Sequence, residues 1–151
     1  MQKLTRQGLE IELPDGWDAR IYRREADDGA GVTRRALHAA NFALPTNLGD
    51  YAVGAAERMT AGDVLVVLLE FDPDSAGAGL FRNEGMPTGL AATDFSPTAM
   101  PRAMPGRTAA QWFFSLGGRA FCLYVVLGSH NQRAAVMPLV NQVVETLKIE
   151  E

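Results

Sequence analysis

The hydrophobic pattern is most informative between residues 117 and 128, which read GGRAFCLYVVLG. Phe121, Leu123, Val125 and Leu127 fall on one face of a strand, and Ala120, Cys122, Tyr124 and Val126 on the other. A strand that is apolar on both faces is covered on both, so this one is predicted as the central strand of a sheet. Gly117 and Gly118 supply a turn before it, and Gly128 an end. Residues 64–69 form an unbroken, largely branched apolar run, too short for an independent helix. They are predicted to lie beside 121–127. Residues 109–116, AAQWFFSL, read as a further strand, paired antiparallel with the central one through the Gly117-Gly118 turn.

Near the start, Leu9, Ile11 and Leu13 alternate with Glu10 and Glu12, the pattern of a strand with one wet face. Pro14-Asp15-Gly16 is a turn signal. Residues 17–24 place Trp17, Ala19 and Ile21 on one side, so a hairpin of 9–13 with 17–24 is expected. Residues 26–31 read as a loop and 32–44 as a strand that stops at Pro45. Helix formers around Gly54 predict one short helix within 49–59, with Asp50 as its cap and Tyr51 packed inward. Near the C-terminus, Val136, Leu139, Val140, Val143, Val144 and Leu147 recur at i, i+3, i+4, i+7, i+8 and i+11, one stripe of an α-helix. Asn141, Gln142 and Glu145 point away from the stripe. Pro138 belongs in the first turn, or at a kink of a helix starting near Asn131.

Residues 72–107 are irregular, with Pro73, Pro87, Pro97, Pro101 and Pro105. Ser96-Pro97 fits an N-cap followed by Pro, so 96–100 is expected to form a turn of helix. A loop this long in a small domain is functional or mobile. The fold class is therefore α+β. One antiparallel sheet of five to six strands carries a C-terminal amphipathic helix on one face, in a single domain over 1–151.

Composition narrows the function. The hydrophobic share of 47% and charged share of 21% suit a soluble domain. Net charge is −4, and residues 1–35 mix seven Lys/Arg with seven Asp/Glu, so no basic face invites nucleic acid. Twelve of the fourteen basic residues are Arg, a bias read as genomic composition rather than anion binding. The single Cys122 excludes an intrachain disulfide and reads as a small core hydrophobe. The opening MQKLTRQG lacks the apolar core of a signal peptide, and no run approaches the ~20 apolar residues that span a bilayer. A cytoplasmic protein without membrane attachment is expected.

Two places carry a family likeness. The opening Gly8-Leu9-Glu10-Ile11-Glu12-Leu13-Pro14-Asp15-Gly16-Trp17 places an apolar strand before a Pro-x-Gly-Trp turn. At the other end a long apolar strand, 119–127, leads into an amphipathic helix finishing at Thr146-Leu147-Lys148-Ile149. Together they resemble the PsbP-like family of small α/β/α sandwiches. The resemblance implies that fold and a non-catalytic role. It implies no shared ligand residues, and the lipobox cysteine of the family's lipoprotein branch is missing here.

Candidate chemistry is sparse. His38 and His130 sit in no zinc spacing and read as structural and loop residues. Ser129, His130 and Asp63 can be assembled into a triad, but no nucleophile-elbow motif surrounds them. Asp72-Pro73-Asp74-Ser75 is a turn, because position twelve of a calcium loop would be Asn83. Gly77-Ala78-Gly79 lacks the partners of a phosphate loop. No cofactor and no metal are implied.

What remains is the irregular stretch. Met86, Phe95, Met100, Met104 and Trp112 alternate there with Arg102 and Arg107. Soft side chains beside Arg suit a binding surface, and equally a lid over the sheet. Met100, Arg102, Met104, Arg107 and Trp112 are the candidate binding residues. The expected function is a non-catalytic protein-binding or adaptor module, and a homodimer is compatible with it. The alternative is a small-ligand-binding protein or small enzyme with a site under the 72–107 loop, using His38, Arg107 or Arg119.

Overall fold

The computed structural model describes residues 1–25, 32–46, 52–100 and 104–150. Within them the elements are β1 (Gln2–Arg6), β2 (Leu9–Leu13), β3 (Asp18–Glu25), β4 (Thr33–Ala40), α1 (Val53–Ala56), β5 (Val64–Phe71), β6 (Thr108–Leu116), β7 (Arg119–Leu127), α2 (Arg133–Val144) and β8 (Lys148–Ile149). Three single-turn 3₁₀ segments lie between β5 and β6. The architecture is mixed α+β, as expected, but the strands form two antiparallel sheets rather than one. The orders are β1-β2-β8 and β3-β4-β5-β7-β6.

The expected hairpin of 9–13 with 17–24 is not formed. β2 pairs with β1 and β8, and β3 pairs with β4. The turn at Pro14, where Trp17 N–H reaches Pro14 C=O at 3.4 Å, carries the chain from the small sheet to the large one. Leu9, Ile11 and Leu13 then meet Ile21 across one core instead of lying beside it. Alternation reports which side of a strand is buried, not which neighbour it has, so the two arrangements read alike. β1 has little apolar content beyond Leu4, yet Gln7 (φ 54°) and Gly8 (φ 75°) close a two-residue turn that fixes its register on β2.

In the large sheet β5 occupies the middle and β7 lies between β5 and β6. β7 is thus an inner strand rather than the central one. Its eight residues after Arg119 are all buried, and it pairs with β5 and β6 along its whole length. One face of the sheet packs against β2 and the α2 residues Met137, Val140, Val143 and Val144. The other face packs against Leu44, Ala52, Ala55, Ala56 and Met59. Burying four α2 side chains at about 1.5–3 kcal/mol each outweighs the weak helix propensity of a valine-rich segment.

Several local expectations are trimmed. α1 covers only Val53–Ala56, and its expected cap Asp50 and neighbour Tyr51 fall outside the described residues, as does the loop 26–31. α2 begins at Arg133, so Pro138 lies inside it, past the first turn, where its missing N–H leaves one carbonyl without its helical donor. α2 ends at Val144, and Lys148–Ile149 turn back as β8 against Glu10 and Leu9. Thr146 fastens that return. Its hydroxyl accepts from Glu12 N–H at 2.9 Å. Ser96 starts no helix. Its hydroxyl accepts from Thr98 N–H at 3.2 Å as a cap would, and Ala99 N–H closes a single turn on Ser96 C=O at 3.2 Å, but no helix follows because the Ser96 backbone is held by Ala109 in a bridge.

Candidate functional site

β6 is one of the two outer strands of the large sheet, so one side of its backbone has no neighbouring strand among the described residues. The 72–107 segment touches that edge at its two ends. Ser96 and Ala109 exchange both bonds, at 2.8 and 3.1 Å. At the far end Ser115 N–H donates to Asn83 C=O, and Ser115 C=O accepts from Gly85 N–H, each at 2.8 Å. Buried Ser115 also takes Gly77 N–H on its hydroxyl at 2.8 Å and donates to Phe81 C=O. Between these anchors the segment leaves the edge and crosses the sheet face toward α2. There Asn141 clamps Leu90, accepting from its N–H at 2.8 Å and donating to its C=O at 3.0 Å.

That detour leaves a cleft of about 440 Å³ along Gln111–Phe114, walled on the other side by Leu80, Asn83–Pro87 and the half-buried Met86. Glu84 is the one charged residue lining it among the described residues. Leu80, at its mouth, is 66% exposed. Phe113 is held from behind by Phe81, rings 5.5 Å apart, and Trp112 by Phe95, 5.9 Å apart.

The candidate residues from the sequence do not gather on one surface. Met100 is buried and Met104 half-buried against the α1 side of the sheet, whereas half-buried Trp112 packs on the opposite side. Arg102 lies outside the described residues. Arg107 is a fastening: Nε donates to Ala56 C=O at 2.7 Å, and Nη2 to Met59 and Glu57 C=O at 2.7 and 3.1 Å. Its Nη1 donates to Pro105 C=O at 3.2 Å. Of the four that are described, only Trp112 lines the cleft. Gln111, Phe113 and Leu80 also line it, and the sequence reading missed them. Their signal is position on an edge strand, which composition does not carry.

The other polar groups are engaged within the fold. His38 is buried with Tyr22 Oη at 3.4 Å from Nε2. His130 Nδ1 lies 2.9 Å from Thr108 Oγ1. Asp63 accepts from Thr60 N–H and hydroxyl at 2.8 and 3.1 Å, closing a turn rather than orienting His130. Arg119 Nε reaches Glu70 Oε2 at 2.8 Å, and Arg35 N–H reaches Glu70 Oε1 at 3.3 Å, which ties β4, β5 and β7 together. Burial alone would raise the Glu70 pKa. The Arg119 bond, the Arg35 N–H and the two guanidinium charges outweigh it and hold the carboxyl below its usual range. Burial pushes the Cys122 thiol up to about 12.

Comparison with family models, curated proteins and solved structures finds no match to this chain. Fold and site by themselves define an α+β protein of two antiparallel sheets, with a cleft of mixed polar and apolar lining along an outer strand. No helix among the described residues is long and apolar enough to cross a membrane.

Proposed function

We propose that the chain is a non-catalytic binding module that takes a protein partner in the cleft beside β6. The observation that carries this reading is the cleft itself. Trp112 and Phe113 of an outer strand, backed by Phe95 and Phe81 on opposite faces of the sheet, both line an opening edged by exposed Leu80. Rigid aromatic surface with a soft Met at its side is what interface centres favour. A PsbP-like kinship and a cytoplasmic setting belong to the same proposal. Support for the kinship is the succession of an apolar strand, a Pro-Asp-Gly-Trp turn and a long strand leading into a C-terminal helix on a sheet.

The small-ligand or enzyme alternative has less behind it. The polar groups it would use, His38, Arg107 and Arg119, are absent from the cleft lining. The reading is tested by affinity capture from native lysate with the wild-type chain and with Leu80→Asp. A partner captured by the first and lost with the second, at equal thermal stability, supports it. Identical capture by both refutes it.

A further inference from the structure

The edge of β6 is interrupted in a specific way. Ala109 and Ser115 both direct N–H and C=O outward, so the residues between them with the same parity, Gln111 and Phe113, do so too. Ala110, Trp112 and Phe114 face β7 instead. Among the described residues no backbone group reaches the outward N–H and C=O of Gln111 or Phe113. Two donors and two acceptors therefore line the cleft floor in a row. The fold itself extends the sheet on both sides of them, with Ser96 at one end and Asn83–Gly85 at the other.

We propose that this gap takes a three-residue extended segment of a partner protein as an added strand antiparallel to β6. This rests on the binding-module reading and names its ligand. Antiparallel pairing is the choice that uses all four groups. One partner residue exchanges both bonds with Gln111, and the residue two before it exchanges both with Phe113. A parallel segment of this length would satisfy only part of the row. In that register the middle residue stands opposite Trp112, and its side chain lands on the Trp112 face of the sheet, beside Met86. It is therefore apolar. Glu84 lies at the Ser115 end, which an antiparallel segment reaches on its N-terminal side, so Lys or Arg precedes the triplet. The anchors at Ser96 and Asn83 limit the added strand to these three residues.

The test uses the full chain, labelled with ¹⁵N, and the peptide acetyl-Lys-Thr-Leu-Thr-amide. In the free protein the Gln111 and Phe113 amides exchange with solvent at least tenfold faster than those of Ala110 and Trp112. Protection that grows with protein concentration would mean that a second copy fills the gap, and would overturn the proposal. Peptide at millimolar concentration shifts both amide resonances. N-methylation of the Leu, whose N–H points away from β6, leaves binding within twofold, whereas N-methylation of either Thr weakens it at least tenfold. Gln111→Pro removes one outward donor at an edge position that tolerates proline, and weakens binding at least tenfold. Gln111→Thr loses the same side-chain bond to Ala99 C=O but keeps the donor, and binds as wild type. No shift at the two amides by about 10 mM peptide, below any useful affinity, would sink the idea. So would equal loss from all three methylations. A partner lost with Leu80→Asp but retained by Gln111→Pro would overturn strand addition while leaving the binding module standing.

Discussion

Arg107 separates a binding role from a structural one. Its guanidinium reaches four carbonyl oxygens, three of them at or just beyond the end of α1. α1 has a single turn and no side-chain cap at its start, and it rests on the sheet through small side chains, Ala52, Ala55 and Ala56, with Met59 just beyond it, so the Arg107 bonds are a large part of what fixes its end. Arg107→Ala removes two partly buried charge-assisted bonds of 2.7 Å, worth about 1–1.5 kcal/mol each. The two exposed bonds, to Glu57 and Pro105, add almost nothing against water. The expected loss is about 2–3 kcal/mol. For a chain of this size that lowers Tm by roughly 4–12 °C. Arg107→Lys keeps the charge but cannot address Ala56 and Met59 together, and recovers less than half of the loss. Thermal unfolding followed by circular dichroism reads the shift. Hydrogen exchange reads its location, as faster exchange at Ala55, Ala56, Glu57 and Met59. A Tm within 1 °C of wild type, together with lost partner capture, would refute the fastening and return Arg107 to the binding surface.

Three further outcomes follow from the packing. Cys122, buried with its thiol pushed up to about 12, stays unreactive toward a disulfide reagent at pH 8 until the chain unfolds; rapid labelling of the native protein would contradict the burial of β7. Glu70→Gln costs about 2 kcal/mol at neutral pH, because two arginines lose a shared counter-charge. The Glu70 carboxyl is held below its ordinary 4.5, so its contribution is complete above that value and fades as pH falls through the depressed one. Urea titrations at a series of pH values should therefore show the two proteins converging as the pH falls from 4.5 through the depressed value, and a constant gap would tell against the clamp. Gly128→Ala drives a Cβ into the Thr60 carbonyl, a backbone atom that cannot swing aside, and should lower stability by roughly 3 kcal/mol or more in urea unfolding. An unchanged midpoint would mean that the 60–63 turn sits elsewhere.

The sequence was legible where burial alone decides an element and mute where a partner does. β5 and β7 are apolar on both faces, so their place inside a covered sheet follows from composition. The α2 stripe likewise follows from a 3.6-residue repeat. β1 and β8 exist because β2 offers them an edge, and neither Lys3 nor Lys148 announces that in its own segment. The candidate surface failed to assemble for the same reason. A Met or an aromatic ring is equally suited to covering a sheet and to meeting a partner, and Met100, Phe95 and Met104 cover. What distinguishes Trp112 is that its strand became an edge, and it did so only because β7, later in the chain, inserted between β5 and β6. The gap at Gln111 and Phe113 depends further on where Ser96 and Asn83 attach to that edge. No single residue type encodes it. The four outward backbone groups belong equally to any residues but proline at those positions, and Gln111→Thr should accordingly leave the site intact where Gln111→Pro destroys it.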